Sequence, residues 1–292
     1  MTRRRLLIMG AGATAGVAGL VLLRSDLRSV DPAAVRERAD RLGRRHGIRI
    51  EYGPPGRFFV APFSEQDARI ENGFARQVDL SAVPPALDGI ETSLAIYPPA
   101  YVARRCQAIF ICGSLVLDGA AAGGTYGPAW IIVAAPDSVG AAGITETARL
   151  GVHHELSSLI WNSTPGLAGR WTALLPAGWK PASDNAEALK ADAAAPADPA
   201  SGFLSPYGAT TAENDFNVYA ETVFTDAARV AGLARHHPLV ARKLALLIAG
   251  YELVDDAIGE VFERLGLRSF AVPGVLTSEI SIGPAVSPAT TD

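Results

Sequence analysis

The pattern of hydrophobic and polar positions changes along the chain. In the first half, short apolar runs bounded by Gly or Pro are typical of strands: "IRIEYG" at 48–53, "RFFVAPF" at 57–63, "AIFICGSLVLDG" at 108–119 and "AWIIVAAP" at 129–136. The first two runs are joined by Gly-Pro-Pro-Gly, which favours a hairpin-like pair. Longer stretches with helical spacing lie at 31–47, 84–104, 143–162, 238–251 and 252–265. Strands early and helices late predict an α+β fold.

The N-terminal segment has the layout of an export signal. Arg3, Arg4 and Arg5 precede an uncharged run at 6–23, and "TRRRLL" resembles the twin-arginine pattern used to export folded proteins. About 18 to 20 apolar residues also suffice to cross a bilayer, so an uncleaved membrane anchor is the alternative. We therefore expect residues 1–29 to be an export signal or membrane anchor. The rest of the chain would then lie outside the cytoplasm, in the periplasm or another extracytoplasmic space.

Composition limits the class of partner. The chain is 49% hydrophobic and carries a formal net charge of -4, with scattered basic residues, so nothing indicates a nucleic-acid partner. Cys106 and Cys112 would lie about 20 Å apart in one extended strand, which excludes a disulfide there and makes Cys112 a small core residue. We expect one domain at 30–275, a flexible insert at 181–202 that is rich in Ala, Asp and Pro, and a disordered tail at 276–292.

The stretch "LGVHHELSSLIW" at 150–161 carries the first candidate chemistry. In zinc peptidases with the motif H-E-x-x-H, two His four residues apart on one helix face bind the metal, and the Glu polarises the bound water. Here His154 and Glu155 match the first two positions, but Ser158 stands where the second His belongs. His153 could contribute to a metal site only with local distortion, because neighbouring helical residues diverge by about 100°. Hydrogen-bonded structural histidines are the alternative.

A second segment, "SPYGATTAENDFNVYAE" at 205–221, adds acidic groups. Tyr207 lies in a loop before a predicted helix on which Glu213, Asn217 and Glu221 share one face, while Asp215 points elsewhere. An ordinary acidic helix start, capped by Thr210 or Thr211, is the alternative.

The two segments, in this order and after "GGTYG" and "WIIVA", resemble the zinc-binding metallopeptidases of bacterial envelopes, which are similar to the lethal-factor-type gluzincins. The resemblance covers roughly residues 50–265. It implies a gluzincin-like zincin fold, with a small mixed sheet, an active-site helix and a mainly helical C-terminal part. It also implies an envelope location, zinc as cofactor and a peptide or protein substrate.

Residue by residue, the resemblance makes His154 the first zinc ligand, assisted by His153, and Glu155 the general base. Tyr207 becomes the tyrosine that stabilises the oxyanion, and Glu213 or Asp215 the acidic ligand. Ser158 departs from the second His. Asn214 or Asn217 falls at the usual position of the ligand Glu.

Three hypotheses follow. The chain is an exported zinc-dependent metallohydrolase, a peptidase with an altered ligand set; or a non-catalytic gluzincin-like binding or interaction module of the envelope; or a structural α+β domain. A metalloenzyme requires His154, Glu155 and an acidic residue of the downstream helix to converge on one point.

Overall fold

A computed structural model describes residues 30–54, 74–117, 119–183, 185–191, 196–272 and 275. The predicted export signal or anchor at 1–29, the predicted strand at 57–63 and the predicted tail at 276–292 lie outside the described residues. The helices are α1 (Pro32–His46), α2 (Val83–Leu94), α3 (Gly140–Ser163), α4 (Leu167–Thr172), α5 (Asn185–Ala188), α6 (Ala212–Thr225), α7 (Ala227–His236), α8 (Pro238–Glu252) and α9 (Gly259–Arg264). None of the described helices is long and apolar enough to span a membrane.

Two small sheets precede most of the helices, which makes the fold α+β as predicted. The strands are β1 (Arg49–Glu51), β2 (Phe74–Arg76), β3 (Ala108–Cys112), β4 (Ser114–Leu117), β5 (Ala120–Ala122), β6 (Gly124–Tyr126) and β7 (Trp130–Ala134). One sheet has the order β1-β3-β7-β6, with β1, β3 and β7 parallel and β6 antiparallel at the edge. The other has the antiparallel order β2-β4-β5.

The predicted apolar runs form the centre of the first sheet. Every residue of β3 and β7 is buried, because side chains of alternating residues pack on opposite faces. One face belongs to the main core with the helices, and the other packs with β4 in a smaller cluster. Cys106 and Cys112 are buried free thiols, as expected for core residues.

Helix boundaries follow from local chemistry. The Asp31 side chain accepts a hydrogen bond from the Ala33 amide, and Gly47 ends α1 in the left-handed conformation, so α1 fills the helical stretch predicted at 31–47. Thr211 caps α6 by accepting a hydrogen bond from the Asn214 amide at 2.9 Å. This places the acidic segment in the first turn of a regular helix.

Helix α3 is held between the sheet and two other helices. Gly89 of α2 allows the close approach, because a Cβ atom there would lie 2.2 Å from the Thr145 carbonyl oxygen. Ser93 of α2 also donates to the Arg149 carbonyl at 2.7 Å. These contacts fix the side of α3 that faces α6.

Some elements were not predicted from the sequence. β1 pairs in parallel with β3, and the strand expected to form a hairpin with it, at 57–63, lies outside the described residues. The helices α4 and α7 were not predicted. Within the predicted flexible insert, the described residues include α5 and a short 3-10 helix at Pro199–Ser201.

Candidate functional site

The polar residues singled out in the sequence meet where α3 faces α6. Positions 154, 158 and 162 of α3 pair with 221, 217 and 213 of α6, so the two helices run antiparallel along this face. Because residues four apart lie on one side of a helix, the three pairs form successive rungs of one polar ladder. We call this set the polar ladder, and its members are His154–Glu221, Ser158–Asn217 and Asn162–Glu213.

The first rung is an ion pair. Nδ1 of His154 is hydrogen-bonded to Oε1 of Glu221, and both side chains are largely buried. Burial opposes the charged imidazole, but the bond to Glu221 and the nearby carboxylates outweigh it and raise the pKa of His154 to about 9. The imidazole is therefore protonated at neutral pH, and Glu221 fixes its orientation through Nδ1.

The middle rung is neutral and fully hydrogen-bonded. Nδ2 of Asn217 donates to Oγ of Ser158 at 2.8 Å, and Oγ of Ser157 donates to Oδ1 of Asn217 at 2.5 Å. All three side chains are buried. By the resemblance, Ser158 takes the place expected for the second His, and Asn217 is one of the two asparagines, with Asn214, that fall at the place expected for the ligand Glu. Here Ser158 and Asn217 bond to each other.

The third rung lies at the start of α6 and includes the edge strand. The Tyr126 hydroxyl donates to Oε1 of Glu213 at 2.5 Å. Nδ2 of Asn162 donates to the Tyr126 hydroxyl at 2.9 Å and lies 3.5 Å from Oε1 of Glu213. Glu213 is thus held at the site by groups from β6 and α3.

Glu155 lies between α3 and the edge strand β6. Its side chain packs against Gly124, because a Cβ atom at Gly124 would lie 2.6 Å from Oε1 of Glu155. Glu155 is only 6% exposed. Burial raises its pKa to about 7; the charge of His154 lowers the pKa, and those of Glu213 and Glu221 raise it further. This carboxyl group titrates near neutral pH, as a general base would.

Tyr207 reaches the same cluster from the loop before α6. Its ring centroid lies 5.9 Å from that of His154. Burial and the carboxylates of Glu155, Glu221 and Glu213 raise the pKa of the Tyr207 phenol, so it remains protonated and can donate a hydrogen bond.

His153 points away from the polar ladder. Its Nδ1 is hydrogen-bonded to the Tyr97 hydroxyl at 2.8 Å, and its ring stacks on Phe224 at 5.2 Å between centroids. Burial and the charge of Arg149 lower the pKa of His153 to about 3, so the ring is neutral. His153 is a core residue that packs behind the site.

Asp215 also lies elsewhere. Oδ2 of Asp215 accepts hydrogen bonds from Nζ of Lys243 at 2.6 Å and from Nε1 of Trp171 at 2.8 Å. Both members of this ion pair are 0% exposed. Burial raises the pKa of Asp215 to about 6, against the opposing effect of Lys243. Asp215 therefore connects α6 to α4 and α8.

The interpretation of the site rests on its geometry, because comparison with known proteins gives no match. No family model, no curated protein and no solved structure matches the chain.

The arrangement does not fit a zinc ion bound in the regular gluzincin manner. The oxygen of Ser158 and the amide of Asn217 are hydrogen-bonded to each other, and neither is a good zinc ligand. Among the described residues, no group of three or more His, Cys, Asp or Glu side chains is placed to hold a metal ion. The predicted ligands divide accordingly: His154 and Glu213 are at the site, while His153 and Asp215 face other parts of the core.

The fold brings together His154, Glu155, Tyr207 and Glu213, all of which were named from the sequence. The roles of Glu221, Asn162 and Tyr126 were not assigned from the sequence. The spacing of four at 213, 217 and 221, matched by 154, 158 and 162, was the signal that could have shown the ladder. Tyr126 carries no such signal, since only the sheet brings β6 to α6.

Proposed function

We propose that the protein is a non-catalytic, gluzincin-like module of the cell envelope that binds a peptide or protein segment at the face formed by α3, α6 and β6. The export pattern at residues 1–29 supports the location. One observation carries the rest: Ser158, which replaces the second zinc His in the resemblance, forms a hydrogen bond of 2.8 Å with Asn217, one of the two candidates for the position of the ligand Glu. Neither side chain is a good zinc ligand.

The edge strand supports a peptide ligand. β6 pairs antiparallel with β7, and backbone groups of Gly123 and Gly127 form hydrogen bonds with β7. Because the backbone groups of every second residue point to the same side of a strand, those of Thr125 also face β7, where Thr125 pairs with Ile132. The amides and carbonyls of Gly124 and Tyr126 therefore face away from β7. An extended peptide can add a strand to such an edge through main-chain hydrogen bonds.

A metal analysis tests the non-catalytic proposal. The full chain is purified without a histidine tag, and zinc is measured by mass spectrometry in the parent, in His154→Ala and in the double variant Ser158→His/Asn217→Glu. We expect far less than one equivalent in the parent. We expect about one equivalent in the double variant, because it restores three protein ligands of the regular site.

The opposite result identifies the alternative. One equivalent of zinc in the parent, lost in His154→Ala, would overturn the non-catalytic proposal. It would favour the second candidate, an exported metallohydrolase with an altered ligand set. The observation in favour of that candidate is the pKa of Glu155, about 7, beside the phenol of Tyr207. A screen for peptide hydrolysis would then follow, with Glu155→Gln as the inactive control.

Peptide binding is tested separately by NMR. An unstructured alanine-rich peptide is titrated into the isotope-labelled protein with a chelator present. We expect the amide signals of Gly124 and Tyr126 to shift first, because these groups lie on the side of β6 that faces away from β7. Shifts confined to other strands would contradict docking at β6.

A further inference from the structure

The polar ladder and its surroundings carry more negative than positive charge. Three carboxyl groups, those of Glu155, Glu213 and Glu221, surround one imidazole, and all of them influence the protonation of His154. Glu221 is paired with His154, and Glu213 accepts from Tyr126. Among the described residues, the carboxylate of Glu155 forms neither an ion pair nor a hydrogen bond of this kind.

The Glu155 carboxylate also lacks a hydrogen-bond donor among the described residues. Its side chain is more than nine-tenths buried, at 6% exposure, and it points into the cluster beside Gly124. Within the described ranges, this carboxylate accepts no hydrogen bond, although an ionised carboxylate offers about four acceptor sites. Because burial removes most of the water that would solvate an ionised carboxylate, a ligand that donates hydrogen bonds to Glu155 would be favoured.

The surroundings of Glu155 limit the kind of ligand that can pair with it. The ligand must carry positive charge, be compact and donate several hydrogen bonds to Glu155 and its neighbours. A primary ammonium group carries three donors on one atom, and the nearby rings of Tyr207 and Tyr126 suit a cation. A zinc ion would meet the charge requirement, but the Ser158–Asn217 pair occupies the remaining ligand positions.

We propose that the buried carboxylate of Glu155, with Glu213 beside it, binds the primary ammonium group of a peptide. This inference rests on the proposed function, in that a peptide docked along β6 brings the ammonium group to the site. The α-amino terminus and a lysine side chain offer the same chemistry.

The experiment uses NMR of the full chain with a chelator present and reads the His154 imidazole and Gly124 amide signals. The probes are n-butylammonium with 1-butanol as its uncharged counterpart, trialanine, N-acetyl-trialanine, and an N-acetylated, C-amidated Ala-Lys-Ala peptide. Each is titrated into the parent, Glu155→Gln and Glu146→Gln. Glu146 is the matched control, because it lies on α3 but pairs with Arg149 on an exposed surface.

We expect n-butylammonium and the amine-bearing peptides to bind, and butanol and N-acetyl-trialanine not to bind. Glu155→Gln should weaken binding roughly tenfold or more, as expected when a charged hydrogen-bond partner is lost, and Glu146→Gln should leave it unchanged. Preference for trialanine identifies the α-amino terminus as the source, and preference for the acetylated lysine peptide identifies the side chain.

The failures are distinguishable. If acetylated and amine-bearing peptides bind equally and n-butylammonium does not bind, the ammonium site is overturned while peptide binding stands. If n-butylammonium binds and no peptide does, the cation site is supported and the proposed function fails. If no probe binds, both are overturned.

Discussion

The Ser158 hydroxyl accepts a hydrogen bond from the Asn217 amide, 2.8 Å away, at the centre of the interface between α3 and α6. The rungs on either side contain ionisable groups, whereas this one is neutral. Because the amide also accepts from Ser157, one asparagine satisfies two buried serines. This bond therefore contributes to the packing of the two helices.

Truncation of this rung should be costly and non-additive. Asn217→Ala leaves the Ser158 hydroxyl without its partner in a buried interface, while Ser157 keeps its bond to the His154 carbonyl, and we expect the variant to lower the free energy of unfolding by about 1–3 kcal/mol. Ser158→Ala should cost less, since Asn217 keeps its bond to Ser157. The double variant should cost less than the sum of the two, because the variants share one bond. Denaturant unfolding of all four proteins measures this, and strict additivity would contradict a direct pair.

The His154–Glu221 pair should give the site a measurable pH dependence. The folded pKa of His154, about 9, is above its ordinary value of 6.5. The stabilisation from this pair is therefore fully present below about pH 6.5 and is lost as the pH rises through about 9, with a magnitude of about 3 kcal/mol. NMR titration of the imidazole signals in metal-free protein measures the pKa directly.

Two controls accompany that titration. Glu221→Gln removes the main cause that raises the value, so the pKa of His154 should fall markedly. The neighbouring His153 is an internal reference, because its pKa is about 3 and its signals should stay constant across the same pH range. A His154 midpoint near 6.5 in the parent would show that the pair does not form.

Two adjacent glycines provide a matched test of the contact between β6 and Glu155. A Cβ at Gly124 would lie 2.6 Å from Oε1 of Glu155 and 2.7 Å from the Ile132 carbonyl oxygen, whereas a Cβ at Gly123 would meet only Thr147 at 3.9 Å. We expect Gly124→Ala to destabilise the protein by about 1–3 kcal/mol through overpacking. Gly123→Ala should be nearly neutral. Equal melting temperatures for the two variants would contradict this placement of Glu155.

Much of the fold follows from local patterns in the sequence. Sequence patterns predicted the strands β3 and β7, the helices α1 and α3, and a threonine cap at the start of α6. Each of these features depends on a short run of residues. The parallel pairing of β1 with β3 was not, since strand partners are chosen by the tertiary fold. The helix α7 was overlooked, although Asp226 supplies its N-cap.

The candidate site was predictable to the extent that helix periodicity determines it. His154, Glu155 and Glu213 were named from motif and spacing, and they lie together. Asp215 was an equal alternative to Glu213 as the acidic ligand, because the sequence "ENDFN" can be aligned with the metallopeptidase pattern in more than one way. Only the fold shows that Asp215 faces Lys243 on α8, and only the sheet brings Tyr126 to Glu213.

The buried pair of Asp215 and Lys243 should be important for stability. Lys243→Met leaves the carboxylate of Asp215 uncompensated in the core, and we expect a loss of about 3–5 kcal/mol. The double variant Lys243→Met/Asp215→Leu should recover most of that loss, because no buried charge remains. Thermal unfolding of the parent and the variants checks both expectations. A single variant as stable as the parent would contradict a buried ion pair.

This ion pair has a consequence for how freely the opposite side of α6 can change. The helix is attached to α4 and α8 through Asp215, which also contacts Trp171, while Glu213, Asn217 and Glu221 face α3. Anchoring and chemistry thus reside on separate sides of the same helix. Side chains facing α3 can be exchanged for metal ligands, neutral amides or charges without loosening the attachment behind them. Such a helix can acquire or lose an activity by substitution at a few positions while the scaffold persists.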